Sequence, residues 1–219
     1  MKENDSLKYK TVLFDLDGTL LDTLEDMADA VNRIMRKYGL PERTLKEVRS
    51  FVGNGARRLI ELAAEGTDGE KLEQILADYK EDYDRNYLIK TAPYPGILEL
   101  LRTLREHGVK TGVVSNKPDS TVQELSKALF QDLADVAVGE KSGIRRKPAP
   151  DTVLAAMEQL GSAPEETVYV GDSEVDIATA RAAGIPCISV TWGFRDRDQL
   201  IEAGAQTFAD SSRELLKLL

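Results

Sequence analysis

Two aspartates that stand two residues apart, Asp15 and Asp17, directly follow the apolar residues 12–14. These residues have the composition of a buried β-strand, and an unpaired carboxylate at the end of such a strand carries a large desolvation penalty. Carboxylates placed in this way are typical of a metal site or of catalysis. Gly18 comes next and permits a sharp backbone turn, so an Asp-rich turn without chemistry is the alternative interpretation.

A second acidic pair follows another apolar run farther along the chain. Asp172 comes after the predicted strand Thr167 to Val170 and Gly171, and Asp176 stands four residues later. If a helix begins near Ser173, both carboxylates approach the same side of the site. Helix capping is the alternative, because the helix dipole favours acidic residues in a first turn in any case.

Polar and basic residues follow two further elements. Ser115 and Asn116 come after the apolar stretch that ends at Val114, and they can bind phosphate oxygens, although Ser-Asn is also a common turn or helix cap. Lys147 stands before Pro148 in a basic loop, where it can offer a point charge to an anionic group or lie on a solvated surface. Both elements therefore offer candidate donors to a phosphate group.

The ligand types available in this chain favour one kind of metal. Oxygen ligands at the ends of neighbouring strands are suited to Mg²⁺, which is normally held by one or two carboxylates together with waters and substrate phosphate. The single histidine, His107, and the single cysteine, Cys187, form no cluster that competes for zinc. The sequence therefore predicts a magnesium site built from carboxylates.

The positioning elements follow an alternating pattern. Helical patterns separate most of the five short β-rich runs, which are Thr11 to Phe14, Val109 to Val114, Val136 to Val138, Thr167 to Val170 and Cys187 to Val190. This alternation predicts an α/β fold with a doubly wound, mostly parallel sheet, whose ligands bind beyond the carboxyl ends of the strands. The polar motifs stand at those ends.

One interval interrupts the alternation. Between Asp22 and Lys90 the chain contains only amphipathic stretches without a convincing strand, which predicts a helical insertion. We expect a core domain of residues 1–20 and 91–219 and a helical cap domain of residues 21–90, with both connections close to the acidic motif. A subdomain that only adds stability is the alternative to a lid over the site.

Composition excludes several classes of partner. The 219 residues include 29 basic and 38 acidic side chains, and the formal net charge of -9 disfavours nucleic acid and anionic membrane surfaces. No apolar run approaches the ~18 residues that span a bilayer. The single cysteine excludes an intramolecular disulfide, and the first ten residues lack the apolar segment of a secretory signal, so we expect a cytoplasmic protein. A monomer and a homodimer both remain open.

Taken in order, the motifs resemble the phosphatase branch of the haloacid dehalogenase superfamily. The motifs that carry this resemblance are Asp15-x-Asp17-Gly-Thr19, Ser115-Asn116, Lys147-Pro148 and Gly171-Asp172-x-x-x-Asp176. The helical insertion is similar to that superfamily's type 1 cap. Finer features look like phosphoglycolate phosphatases, namely Val52-Gly53-Asn54-Gly55-Ala56, Ser115-Asn116-Lys117 and Trp192-Gly193-Phe194.

The resemblance implies a mechanism. Asp15 would attack phosphorus and form an aspartyl-phosphate, while Asp17 would protonate the leaving oxygen and later activate water. Mg²⁺ would be held by the Asp15 carboxylate, the Asp17 main-chain carbonyl and Asp172, with Asp176 in a supporting role. The phosphoryl oxygens would be bound by three residues, Ser115, Asn116 and Lys147.

The expected substrate is a small phosphorylated metabolite, with phosphoglycolate first. An inorganic pyrophosphatase of the same cap class stays open, as does a receiver-like phospho-acceptor switch or a binding protein without turnover. We expect the cap to select the substrate through Gly53, Asn54 and Gly55, where the glycines permit close backbone approach, and through Arg57, which can meet a substrate carboxylate. A flexible helix start with solvated arginines is the alternative.

Overall fold

The computed structural model describes residues 7–219, so the first six residues of the predicted core range 1–20 lie outside it. The chain divides into two compact units. The core unit comprises the described part of Met1–Leu20 together with Pro93–Leu219, and the inserted unit is Leu21–Ala92. The predicted cap range 21–90 falls within the inserted unit.

Strands and helices alternate through the core unit, and helices make up most of the inserted unit. In chain order the elements are β1 (Thr11–Phe14), β2 (Leu21–Asp22), α1 (Leu24–Lys37), α2 (Leu45–Phe51), α3 (Gly55–Ala63), α4 (Gly69–Asn86), β3 (Ala92–Pro93), α5 (Ile97–Glu106), β4 (Lys110–Pro118), α6 (Asp119–Leu125), a π-helical turn (Ser126–Phe130), β5 (Val136–Glu140), α7 (Asp151–Leu160), a 3-10 turn (Pro164–Glu166), β6 (Thr167–Gly171), α8 (Glu174–Ala183), β7 (Cys187–Val190), α9 (Arg197–Glu202), β8 (Phe208–Ala209) and α10 (Ser212–Leu218). The order agrees with the βαβ alternation that the sequence predicts.

The core unit contains a six-stranded sheet in the order β5-β4-β1-β6-β7-β8. Its ladders are parallel throughout. The central strand β1 lies between β4 and β6, with Phe14 level with Val113 on one side and Val170 on the other. The predicted doubly wound α/β architecture is confirmed, and the carboxyl ends of these three strands meet at one edge.

The central strands are apolar because helices cover the sheet. Leu13, Val114 and Tyr169 are fully buried, as expected for strands covered on both faces. Helix α7 packs its apolar stripe against this cluster through four residues, Val153, Ala156, Met157 and Leu160. This packing holds rigid the strands whose ends carry the polar motifs.

The inserted unit is formed by α1 to α4, which pack on one another. A buried carboxylate ties its two ends together: Asp26, in the first turn of α1, accepts the main-chain N–H groups of Lys90 at 2.9 Å and Thr91 at 2.8 Å, and the Thr91 hydroxyl at 2.9 Å. Within residues 7–219, no helix combines the length and the apolar composition that crossing a bilayer requires.

Candidate active site

The candidate site lies at the carboxyl edge of the core sheet. Asp15 directly follows β1, Ser115 lies in the last part of β4, and Asp172 directly follows β6. Because β4, β1 and β6 are parallel neighbours, their ends bring together residues that lie up to 157 positions apart in sequence. The sheet topology therefore assembles the site from separate motifs.

A buried lysine lies between two of the carboxylates. Lys147 Nζ is 2.7 Å from Asp15 Oδ1 and 2.8 Å from Asp176 Oδ1. The Tyr169 hydroxyl, on β6, accepts a hydrogen bond from Lys147 Nζ at 3.0 Å and donates one to Asp176 Oδ1 at 3.2 Å. The Lys147 side chain is only 3% exposed, so this ammonium group is held in place without much water.

Burial and charge act in opposite directions on Lys147. Burial alone would lower its pKa, but the charges of Asp15 and Asp176 raise that pKa well above its ordinary value. Burial raises the pKa of Asp15, and the neighbouring Asp176 charge raises it further, although Lys147 opposes both effects. The lysine is therefore a permanent cation beside Asp15, in a site with more acidic than basic groups.

Asp172 is buried with neutral donors around it. Its Oδ1 accepts the Thr19 hydroxyl at 3.1 Å, and its Oδ2 accepts the main-chain N–H of Phe194 at 2.6 Å. Burial, followed by the charge of Asp176, raises the pKa of Asp172 to about 7. A Cβ on Gly193 would lie 2.4 Å from Asp172 Oδ2, so only glycine lets this loop approach the carboxylate.

The acidic residues at this edge fit a metal ion. Asp15, Asp172 and Asp176 each place a carboxylate oxygen within 4.8 Å of the others, and all three side chains are buried. Both oxygens of Asp176 already accept hydrogen bonds, Oδ1 from Lys147 and Oδ2 from the Ser173 hydroxyl and N–H. Because burial and mutual repulsion raise the pKa of Asp15 and Asp172, a cation would relieve an unfavourable charge distribution.

Asp17 faces a different lysine from Asp15. Lys117 Nζ lies 3.0 Å from Asp17 Oδ1 and 3.1 Å from Oδ2. The two carboxylates of the Asp-x-Asp pair therefore have separate environments, although they stand two residues apart. Separate environments are what two carboxylates with different chemical roles require.

Ser115 and Asn116 of β4 have distinct contacts. The Asn116 side chain donates to the Lys147 carbonyl at 3.0 Å and accepts the Lys147 N–H at 2.7 Å, so it anchors the lysine loop to the strand. Ser115 Oγ accepts the Lys117 N–H at 3.2 Å. Contact of Ser115, Asn116 and Lys147 with a phosphoryl group stays a prediction, and the Asn116 amide has the additional task of positioning Lys147.

The four cap residues singled out by the sequence lie in the inserted unit. Gly53, Asn54 and Gly55 form the turn into α3, with positive φ at both glycines. The Arg57 guanidinium makes two 2.8 Å hydrogen bonds to the Glu73 carboxylate. Their role in substrate selection stays a prediction.

Several contributors to the site were not assigned by sequence reasoning. Asp17 is contacted by Lys117, and Asp176 is contacted by Tyr169. Asp172 is contacted by the Thr19 hydroxyl and by the main-chain N–H of Phe194. Tyr169 offered one signal, because it places a hydroxyl between Val168 and Val170 in the middle of a buried strand. The Phe194 contact offered none, since a main-chain donor has no side-chain signature.

Comparison with known proteins agrees with this arrangement. The family model described as haloacid dehalogenase-like hydrolase matches residues 12–190. The chain is 34% identical over 214 residues to a phosphoglycolate phosphatase of Pseudomonas putida, covering 94% of this chain and 78% of the relative. It is also 32% identical to an N-acetylmuramic acid 6-phosphate phosphatase of Pseudomonas aeruginosa, covering 97% and 96% of the two chains.

A solved structure agrees over nearly the whole chain. The crystal structure of a Lactobacillus delbrueckii subsp. bulgaricus protein, assigned as a phosphoglycolate phosphatase, is 38% identical and superposes with a TM-score of 0.92. The match covers 97% of this chain and 99% of that one. The strand-end carboxylates, the family match and the phosphatase relatives together lead to one conclusion: the chain belongs to the haloacid dehalogenase-like hydrolases and is a phosphatase.

Proposed function

We propose that this phosphatase is a Mg²⁺-dependent phosphomonoester hydrolase that acts through an aspartyl-phosphate on Asp15, with phosphoglycolate as its leading substrate. The observation that supports it most strongly is the buried contact of Asp15 with Lys147, 2.7 Å long, at the end of the central strand. A carboxylate fixed beside a permanent cation suits in-line attack on an anionic phosphoryl group.

The first half of the reaction transfers the phosphoryl group to the enzyme. An Asp15 carboxylate oxygen forms a bond to phosphorus while the bond from phosphorus to the ester oxygen breaks. Asp17 donates its proton to the departing oxygen, which leaves as an alcohol, and Asp17 becomes a carboxylate.

The second half releases inorganic phosphate. Asp17 accepts a proton from water as the water oxygen bonds to phosphorus and the bond from phosphorus to Asp15 breaks. The products are phosphate and the free Asp15 carboxylate, and Asp17 is protonated again for the next cycle. The two half-reactions balance without an oxidant or a second substrate.

The remaining residues neutralise charge. Lys147 and Ser115 contact the phosphoryl oxygens, while Asn116 keeps the Lys147 backbone in place. The carboxylates of Asp15 and Asp172 and the main-chain carbonyl of Asp17 would hold the metal. Mg²⁺, when bound, offsets the negative charge that carboxylates and phosphate bring to one site.

Two substrate classes have support among the relatives. Phosphoglycolate phosphatase is the name of several relatives at 32–36% identity. The N-acetylmuramic acid 6-phosphate phosphatase at 32% identity supports a phosphorylated sugar as the second candidate. Both compounds are alkyl phosphates that also carry a carboxylate. The pyrophosphatase alternative lacks a comparable supporting observation, and the phosphatase assignment replaces the receiver-like switch and the binding protein.

The proposal also covers the partner, the cellular compartment and the oligomeric state of the enzyme. The partner is a small phosphorylated metabolite, and the net charge of -9 argues against nucleic acid. We retain the cytoplasm as the proposed compartment and leave monomer and homodimer open. Substrate selection by Gly53, Asn54, Gly55 and Arg57 is retained as the proposed role of the cap.

Phosphate release from a substrate panel tests the proposal. The panel contains phosphoglycolate, N-acetylmuramic acid 6-phosphate, pyrophosphate and p-nitrophenyl phosphate, each with and without Mg²⁺. Asp15→Asn is compared with the wild type and with Asp132→Asn, whose side chain is 75% exposed. We expect Mg²⁺-dependent release that only Asp15→Asn abolishes. Undiminished release by Asp15→Asn would overturn the proposed nucleophile, and the fastest substrate decides between the two classes.

A further inference from the structure

The ion pair between Lys117 and Asp17 is built into the carboxyl edge of the core sheet. Lys117 Nζ approaches both carboxylate oxygens almost equally, at 3.0 and 3.1 Å. The Lys117 side chain is 5% exposed and that of Asp17 is 17% exposed. Burying an ammonium group is costly without a partner, so the position of this lysine depends on the aspartate and the reverse also holds.

The local backbone explains how Lys117 reaches Asp17. The pairing of β4 with β5 runs from Val114 opposite Val138 to Pro118 opposite Glu140, so β4 has two more residues in this interval than β5. Such an irregularity breaks the alternation of side chains between the two faces of a strand. Ser115, Asn116 and Lys117 are the three residues of β4 inside this interval, and all three are buried.

The backbone of Lys117 is held on two sides. Its N–H donates to Ser115 Oγ at 3.2 Å. On the neighbouring strand, a Cβ at Gly139 would lie 2.7 Å from the Lys117 carbonyl, so β5 packs against this peptide as closely as glycine permits. Because the backbone of Lys117 is fixed, its side chain restrains the position of the Asp17 carboxylate that it contacts.

The two buried lysines divide the two aspartates between them. Lys147 contacts Asp15 and Asp176, whereas Lys117 contacts Asp17. Asp15 must present an oxygen to phosphorus, and Asp17 must present an oxygen to the ester oxygen that leaves on the other side of phosphorus. Each aspartate therefore needs its own restraint, because a general acid that is displaced by about 1 Å loses much of its effect.

We infer that Lys117 is a positioning residue: in the protonated Asp17 that begins the reaction, it holds the unprotonated oxygen and so directs the proton-bearing oxygen at the leaving oxygen. This inference rests on the proposed function of Asp17. Lys117 itself transfers no proton and contacts Asp17 rather than the reacting atoms. Its effect therefore depends on how much the leaving group needs a proton.

Leaving-group chemistry gives the test. An alkoxide is a poor leaving group and requires protonation, whereas p-nitrophenolate leaves without it. We expect Lys117→Met to slow single-turnover release of the alcohol from the best alkyl phosphate of the panel by about 100-fold, the lower range for general acid catalysis. Release of p-nitrophenolate in the same single-turnover experiment should change by less than about threefold, and KM for the alkyl phosphate should stay close to the wild-type value.

Two further variants complete the experiment. Lys117→Arg keeps the cation and should recover most of the lost alkyl rate. Lys141→Met is the matched control, because Lys141 directly follows β5 and pairs only at 3.7 Å with Asp119 while 44% exposed. That variant should behave as the wild type with both substrates. Rapid p-nitrophenolate release by Lys117→Met also demonstrates that the variant is folded.

The outcomes separate this inference from the proposed function. An equal loss with both substrates, no loss with either, or a faster rate in Lys117→Met would each overturn the positioning role while leaving the phosphatase proposal intact. Wild-type enzyme that hydrolyses neither kind of ester would overturn the proposed function, and the role of Lys117 with it.

Discussion

The buried charged pairs at the carboxyl edge of the core sheet differ in their exposure to water from an exposed pair of the inserted unit. In the core unit, Lys147 and Asp176 form a pair whose side chains are 3% and 0% exposed. In the inserted unit, Arg57 and Glu73 form a pair of equal length whose side chains are 46% and 60% exposed. The same kind of contact therefore occurs in two dielectric environments.

The difference in exposure indicates different roles: the buried pairs take part in catalysis, whereas the exposed pairs contribute to solubility. Exposed ion pairs contribute little to stability because water and salt screen them. Buried pairs carry a desolvation cost that their attraction only partly offsets, so hydrophobic residues of equal volume are often as stable. The buried charges at the carboxyl edge of the sheet are therefore best explained by the reaction.

Removing the core cation should have the largest effect. Lys147→Met leaves Asp15 and Asp176 buried without their common partner, and we expect a loss of about 3–5 kcal/mol in the free energy of unfolding. Hydrolysis of every panel substrate should fall below detection. Urea unfolding of the metal-free protein measures the change in the free energy of unfolding. A loss under about 1 kcal/mol would contradict the stabilising role of Lys147 between Asp15 and Asp176.

Addition of metal should stabilise the protein in a pH-dependent way. The pKa of Asp172 is about 7 in the folded state against an ordinary 3.8, so between these values the folded protein binds more protons than the unfolded chain. Without metal, the contribution of Asp172 to stability therefore falls as pH rises from about 4 to about 7. A cation that binds the carboxylate competes with this proton.

Thermal unfolding with and without Mg²⁺ checks that linkage. We expect Mg²⁺ to raise Tm more at pH 8 than at pH 5. At a metal concentration of about one hundred times the Kd at pH 8, the stabilisation at pH 8 corresponds to about 2.7 kcal/mol. Asp172→Asn should lose most of this difference. Equal Tm shifts at both pH values, or an unchanged response of the variant, would argue against Asp172 as a metal ligand.

The buried carboxylate of the inserted unit should matter for stability alone. Asp26 accepts only neutral donors from Lys90 and Thr91 in its four described hydrogen bonds. Asp26→Asn replaces an acceptor oxygen by an amide donor, and we expect a loss of about 1–3 kcal/mol in the free energy of unfolding. Single-turnover rates should remain at the wild-type level. A slower reaction in Asp26→Asn without a loss of stability would contradict a purely structural role for Asp26.

The exposed pair of the inserted unit should give the smallest effect on stability. Arg57→Met removes the contact with Glu73, which water already screens, so we expect no resolvable change in Tm. If Arg57 selects a carboxylate-bearing substrate, KM for phosphoglycolate should rise while KM for p-nitrophenyl phosphate stays constant. Equal KM values in variant and wild type would remove Arg57 from the proposed specificity residues.

Much of the fold follows from the sequence because hydrophobic periodicity and strand apolarity are local properties. The five predicted strands are present, and the predicted helical insertion contains the four helices α1 to α4. The strand β4 continues past its predicted end at Val114 to Pro118, since its last residues are polar and the sequence gives no sign that they are buried. The short strand β8 has only two residues, too few for a periodic pattern.

The site was predictable only where side chains carry the signal. The motif carboxylates were found because they follow apolar runs, and Lys147 was found because it stands before a proline in a basic loop. Their neighbours could not be found in this way, since the Phe194 N–H depends on a loop and Lys117 reaches Asp17 through an irregularity between β4 and β5. Such contacts arise from tertiary structure and leave no spacing in the sequence.

Trapping the covalent intermediate shows whether Asp15 is the nucleophile. Asp17→Asn, incubated with Mg²⁺ and p-nitrophenyl phosphate, should release p-nitrophenolate once and retain the phosphoryl group, because the leaving group needs no proton but the attacking water has lost its base. Borohydride reduction converts an aspartyl-phosphate into homoserine, which peptide mass spectrometry locates. We expect homoserine at position 15. Release of p-nitrophenolate with an unreduced Asp15, or reduction at another aspartate, would contradict this expectation.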